Sequence, residues 1–194
     1  FGCWDAHESV LWLARDRFGE KPLYYGFHRG ALLFASELKA LRAVSGFDPD
    51  IDRLALAEYF RWTNVPAPMT IYEGVSKLPP AHFLRVGGSS GETEPQSYWS
   101  AIEVAGDVPP LSEGVDAVDQ LGEVLDRAVR AQMVSDVPLG AFLSGGVDSS
   151  SVVASMQRQS SEPVRTVTIG FSEPAYDESN QAAQVAGALG TDPT

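Results

Sequence analysis

In the first half of the chain the apolar positions come in short runs. Phe1-Gly2-Cys3-Trp4-Asp5 opens in a strand-like run, and Val10-Leu11-Trp12-Leu13-Ala14 predicts a buried strand. Pro22 to Phe27 and Ala31 to Ala35 flank His28-Arg29-Gly30, the signature of a hairpin. Ser36 is positioned to cap a short helix over Glu37 to Leu41. Asp52 is positioned to cap a longer helix to about Trp62, with Leu54, Ala57, Tyr59 and Phe60 as its apolar stripe and Pro66-Ala67-Pro68 as its stop. Two further strands are expected at 82–86 and 94–99, joined by a glycine- and serine-rich turn.

After residue 103 the period changes. Residues 103–111 are linker-like. Val115, Val118, Leu121, Leu125, Ala128, Val129 and Met133 then recur at spacings of three and four, which predicts a helix over 113–134. Beyond Asp136-Val137-Pro138 the pattern gives a strand at 139–143 and a helix from Val147 to about Gln159. A strand over Val164 to Phe171 and a helix over Asp177 to Leu189, ended by Gly190, complete it. Alternation of helix and strand indicates an α/β unit with a parallel sheet. Charge divides at the same place. Residues 1–105 hold 10 Lys/Arg against 13 Asp/Glu, and residues 106–194 hold 4 against 13. Two domains are therefore expected, 1–105 and 106–194.

The net charge of −12 argues against a nucleic-acid binder. No apolar run reaches the roughly 18 residues of a membrane span, and the first residues do not form a signal peptide, so a cytoplasmic location is expected. One cysteine excludes an internal disulfide. Residue 1 is not Met, and the last five residues follow a helix without a closing element, so the natural protein is expected to be longer.

Between the strand at 139–143 and the helix from 147 lies Ser144-Gly145-Gly146-Val147-Asp148-Ser149-Ser150. At the carboxyl end of a parallel strand, such a loop favours an anion. Two glycines permit a tight turn and close backbone approach, and helix-terminal N–H groups can point at a phosphate. Ser144, Ser149 and Ser150 add hydroxyls, while Asp148 suits a Mg²⁺ bridging pyrophosphate oxygens better than a bare phosphate. No Lys follows the glycines, so this is not a Walker A loop. The plainer alternative is a Gly-Gly turn with polar residues capping a helix. A serine nucleophile is disfavoured, because no Gly-x-Ser-x-Gly elbow is present and His7, His28 and His82 all lie in the other half.

The heptapeptide resembles the pyrophosphate loop of the N-type ATP pyrophosphatases. Arg15-Asp16-Arg17-Phe18-Gly19-Glu20-Lys21-Pro22-Leu23-Tyr24-Tyr25 and Phe34-Ala35-Ser36-Glu37-Leu38-Lys39-Ala40-Leu41 resemble signatures of glutamine-hydrolysing asparagine synthetases. Thr70 to Val75, Lys77-Leu78-Pro79-Pro80 and Ser135 to Gly140 follow in that family's order. The resemblance implies the C-terminal part of an N-terminal-nucleophile (class II) glutaminase, an antiparallel sandwich. It implies next the start of a parallel-sheet, adenine nucleotide α-hydrolase-like domain. The implied activity is asparagine synthase: ammonia from glutamine amidates aspartate through β-aspartyl-AMP. Aspartate, glutamine and MgATP are the implied substrates, with homodimerisation left open.

By the same resemblance Leu143 and Ile169 contact adenine, Ser144, Gly145, Gly146, Asp148, Ser149 and Ser150 hold the pyrophosphate, and Asp148 holds Mg²⁺. No catalytic residue is assigned within residues 1–194. The family's nucleophilic cysteine is expected upstream and its second ATP and aspartate motif downstream, so this piece alone is expected to be inactive. Cys3 is expected to be a buried, inert thiol. Arg15 and Asp16 are given no catalytic assignment, a buried ion pair shaping the hairpin near the tunnel being at least as good a reading as a catalytic role, and Ala81 stands where the family commonly has Gly. Rival readings are a relative with another acceptor (a β-lactam synthetase, a lasso-peptide cyclase or an amidotransferase acting on a cell-surface precursor) and an inactive scaffold.

Overall fold

A computed structural model describes residues 1–87, 94–107, 114–173 and 175–193. The chain divides into two compact units, Phe1–Pro109 and Pro110–Thr194.

The first unit is built on two antiparallel sheets. β1 (Gly2–Asp5), β2 (Val10–Ala14), β6 (His82–Gly87) and β7 (Gln96–Ser97) form one in that order. β4 (Ala31–Ala35), β3 (Tyr24–His28) and β5 (Val75–Lys77) form the other. Leu13 and Leu84 pair directly between β2 and β6, and with Leu23 and Leu78 they make a buried cluster. Tyr25 and Leu32 of the second sheet pack on it, so alternate positions of both sheets share one core. Each buried leucine contributes on the order of 2 kcal/mol. The β3–β4 turn places Arg29 (φ 51) and Gly30 (φ 81) in left-handed backbone, the twist a two-residue hairpin needs.

Several expectations need correction. The helix α1 (Leu38–Arg42) is preceded by Glu37 as its N-cap residue, not Ser36, and no side-chain bond caps it. In α2 (Arg53–Trp62) the Asp52 carboxylate accepts the Leu54 and Ala55 N–H groups, as expected. Its apolar stripe is not the buried one, however. Leu54 is 64% and Phe60 77% exposed, and only Ala55 is buried. The helix stops at Thr63, in left-handed backbone, before any proline. β5 is a strand that the apolar pattern does not predict, and β7 is two residues rather than six. The turn expected at 87–91 lies mostly outside the described residues. Of the supposed linker, residues 103–107 belong to α3 (Ala101–Asp107), and 108–111 lie outside the described residues.

Arg15 and Asp16 are not an ion pair. The Arg15 guanidinium donates to the carbonyls of Lys21 (3.0 Å), Leu78 (2.8 Å) and Gly19 (2.7 Å). Asp16 accepts the N–H groups of Glu20 and Lys21. Burial pushes its carboxyl up, but these amides outweigh burial and hold it below the ordinary value. Cys3 is exposed on β1, not buried.

In the second unit β10 (Asp192–Pro193), β9 (Arg165–Val167) and β8 (Gly140–Phe142) form a small parallel sheet in that order. The strands are shorter than the runs at 139–143 and 164–171, and β10 closes a tail expected to lack an element. α4 (Val115–Gln132), α5 (Val147–Gln159) and α6 (Ser179–Leu189) supply side chains to two core clusters. Leu143, Val153, Ala182 and Ala186 make one cluster; Val129, Met156 and Val164 make another. Of the α4 stripe, Val129 is buried and Leu125 and Met133 are partly buried against its cluster, while Val118 and Leu121 are exposed. Gly190 ends α6 in left-handed backbone, as expected.

Candidate nucleotide site

The loop after β8 is held by the strand behind it and the helix ahead. Leu143 is 2% exposed, donates its N–H to the Val167 carbonyl (3.0 Å) and accepts the Thr168 hydroxyl (2.8 Å). Both its polar backbone groups are thus engaged within the fold, leaving a second lone pair on the carbonyl for a ligand. Ile169 follows β9 and is exposed.

The two glycines serve different ends. Gly145 has φ +80, and a Cβ there would lie 2.8 Å from Gln181 Cβ and 2.9 Å from Ala182 N. Only glycine lets the turn close against α6. Gly146 has ordinary backbone, φ −70 and ψ 160, and a Cβ would meet nothing closer than Ser144 Oγ at 3.5 Å. The fold does not require glycine at 146, and the space a methyl would fill is open to an incoming group.

Gly146 is also the N-cap of α5, with no side-chain cap bond. The Ser150 N–H closes the first helical bond to the Gly146 carbonyl (3.0 Å). The N–H groups of Val147, Asp148 and Ser149 precede it and have no intrahelical acceptor. Ser144 Oγ and Ser149 Oγ lie 3.1 Å apart, and Ser149 Oγ also donates to the Gly146 carbonyl (3.2 Å). These contacts fix the loop without consuming the helix-terminal amides. The Asp148 carboxylate, in the first turn, is exposed and has no partner among the described residues.

A cavity of about 290 Å³ lies at the carboxyl ends of β8 and β9. Leu143, Ser144, Ser149 and Ile169 line it; Gly145, Gly146, Asp148 and Ser150 do not. Its other walls include Phe142, Phe171, Tyr176 and Glu178, none of which the sequence singled out. Phe142 and Phe171 could have been found by following each strand run to its carboxyl end. Tyr176 and Glu178 arrive from the segment leading into α6, which carries no such signal. There Asp177 accepts the Ser179 hydroxyl (2.9 Å) and N–H (3.1 Å), and these bonds hold its carboxyl below the ordinary value.

No group of three or more His, Cys, Asp or Glu side chains forms a metal cage among the described residues. Mg²⁺ is commonly held by one or two carboxylates together with substrate phosphates and water. An unpartnered Asp148 beside free amides fits an ion that arrives with a nucleotide, and does not fit a resident metal.

A glutamine amidotransferase domain family matches residues 1–99 and the asparagine synthase family matches residues 120–194. Asparagine synthetase [glutamine-hydrolyzing] 1 of Bacillus subtilis is 34% identical over 98% of this chain and 29% of its own length. A putative asparagine synthetase [glutamine-hydrolyzing] 2 of Methanocaldococcus jannaschii is 34% identical over 92% of this chain and 34% of its own. Amidase chry2 of Gibberella zeae is 33% identical over 99% of this chain and 30% of its own. The chain thus spans about a third of the length of these relatives.

Proposed function

We propose, for a chain that belongs to the family of glutamine-hydrolysing asparagine synthetases, that its loop 144–150 binds the pyrophosphate of ATP in a carboxylate-activating ligase. Residues 106–194 then begin the synthetase domain, and residues 1–105 close a glutaminase domain that releases ammonia from glutamine. The observation that carries the reading is the uncapped start of α5, beside a glycine whose missing side chain the fold does not require. A helix N-terminus of this kind stabilises negative charge through free N–H groups and the helix dipole.

In the proposed reaction the aspartate side-chain carboxylate attacks the α-phosphorus of ATP, and pyrophosphate leaves. Ammonia then displaces AMP from the acyl-adenylate to give asparagine. The amides of Val147, Asp148 and Ser149 receive charge as pyrophosphate departs, and preorganised donors aimed at developing charge lower such a barrier most. Leu143 and Ile169 flank the base, and Asp148 steadies the Mg²⁺ that comes with the nucleotide. That ion would supply charge neutralisation on the phosphates.

The test uses the intact gene product. Asp148→Ala is expected to abolish aspartate-dependent exchange of labelled pyrophosphate into ATP while glutaminase activity stays measurable. Near-normal exchange removes Asp148 from the site, and formation of ADP rather than AMP rejects adenylation.

The fungal amidases among the relatives favour a second reading, in which the acceptor is not aspartate. A variant of the same chemistry would then activate a different carboxylate. Offering the intact protein glutamine and MgATP with aspartate separates the two, since only the first reading yields asparagine.

A further inference from the structure

Above β3 and β5, in the first unit, lies a cavity of about 420 Å³ that the proposed reaction does not use. Its walls are mostly apolar and aromatic, from Tyr24, Leu38, Leu56, Tyr59 and Ile71, with Thr63, Asn64 and Thr70 as the neutral polar members. Among the described residues one charged side chain lines it, Lys77 of β5.

Lys77 is poorly provided for. Its ammonium donates one hydrogen bond, to the Val65 carbonyl at 2.8 Å, and lies 5.9 Å from the centre of the Tyr24 ring. No carboxylate lies within ion-pair distance among the described residues. Burial, and secondarily repulsion from Arg15, press its pKa below the ordinary lysine value. A half-buried cation that also feels repulsion from another cation is costly, and proteins ordinarily pair such a group or neutralise it. An ammonium has three N–H donors, so two remain for a ligand. Pockets of a few hundred Å³, mostly apolar with a few convergent polar groups, are the usual form of a small-molecule site.

We infer that this cavity binds a small carboxylate with an aromatic or branched aliphatic tail, its carboxylate on Lys77 and its tail between Tyr24 and Tyr59. The carboxylate supplies the missing counter-charge, and the tail covers the apolar walls. A phosphate or a dianion fits less well, because the walls offer no further cation among the described residues. The inference does not depend on the nucleotide site.

The probes are 4-fluorophenylacetate and its neutral amide, followed by ¹⁹F NMR line broadening on the intact gene product. The acid is expected to bind in the millimolar range or tighter, as a ligand of about ten heavy atoms allows, and at least tenfold more tightly than the amide. Lys77→Met is expected to erase that preference, and Lys77→Arg to retain it. Equal binding of acid and amide, or no binding of either at millimolar concentration, overturns the inference. Should Lys77→Met fail to fold, the acid-to-amide ratio on the unaltered protein decides alone.

Discussion

Thr63 and Ala81 hold left-handed backbone, with φ 55 and φ 58, where a side chain costs about 1–2 kcal/mol. The two positions respond differently to glycine because their burial differs. Thr63 is exposed and ends α2, the place where glycine is commonest. Relief of the strain, less roughly 0.5–1 kcal/mol for glycine's extra chain entropy, leaves Thr63→Gly stabilising by about 0.5–1 kcal/mol. Ala81 is buried, and its N–H and carbonyl both bridge to neighbours, Asp16 and Tyr98. Ala81→Gly also forfeits a buried methyl worth about 0.8 kcal/mol, so the gain and the losses cancel to about zero. Urea denaturation with unchanged m-values checks both. From the sequence Ala81 was a departure in one loop; the backbone angle favours glycine there, and the buried methyl offsets that preference.

Helix pairing in the second unit adds a polar clamp, which no periodicity reveals, to the apolar cluster of Val129 and Met156. Asp126 of α4 accepts the Ser155 hydroxyl (2.5 Å) and the Arg158 guanidinium (2.6 Å) of α5, and Gln159 donates to the Asp126 carbonyl (3.0 Å). The Ser155 hydroxyl, then Arg158, hold the Asp126 carboxyl below its ordinary value. A carboxyl depressed on folding stabilises the fold above its unfolded pKa, about 3.9, and loses that contribution as pH falls through its folded value. Asp126→Asn is expected to lower Tm at neutral pH and to shrink the loss of Tm below about pH 4. An unchanged acid limb in a pH series of thermal melts rejects the clamp.

At this same scale the sequence was uneven as a guide. β2, the β3–β4 hairpin, the Asp52 cap and α5 were legible because each has a local cause: an apolar run, a two-residue turn, a carboxylate two residues ahead of a free amide, a strand-loop-helix junction. β5 and β10 were not, because three and two residues carry no period and their partners lie far along the chain. β10 even contains a proline, which propensity assigns against a strand. α3 was hidden for the opposite reason: it buries nothing, so it leaves no apolar stripe to read.

For the molecule as a whole, the loop residues were readable and their separate reasons were not. A sequence with two adjacent glycines cannot say that Gly145 serves the fold and Gly146 serves whatever approaches α5; that requires the positions of Gln181 and Ala182, 36 residues and more along the chain. The distinction predicts opposite behaviour in thermal melts of the intact protein. Gly145→Ala forces the loop off α6 and is expected to lose about 1–3 kcal/mol of stability without any ligand. Gly146→Ala puts a methyl into open space, so its ligand-free stability should stay within about 1 kcal/mol of the original. Saturating MgATP raises the stability of a protein that binds it by about 2.7 kcal/mol at a hundredfold excess over Kd. If the methyl at 146 occupies the room a phosphate needs, that increment shrinks or vanishes in Gly146→Ala while the unliganded melt is preserved. An undiminished MgATP shift in this variant would mean that the start of α5 is an ordinary capped turn and that the nucleotide, if bound at all, lies elsewhere.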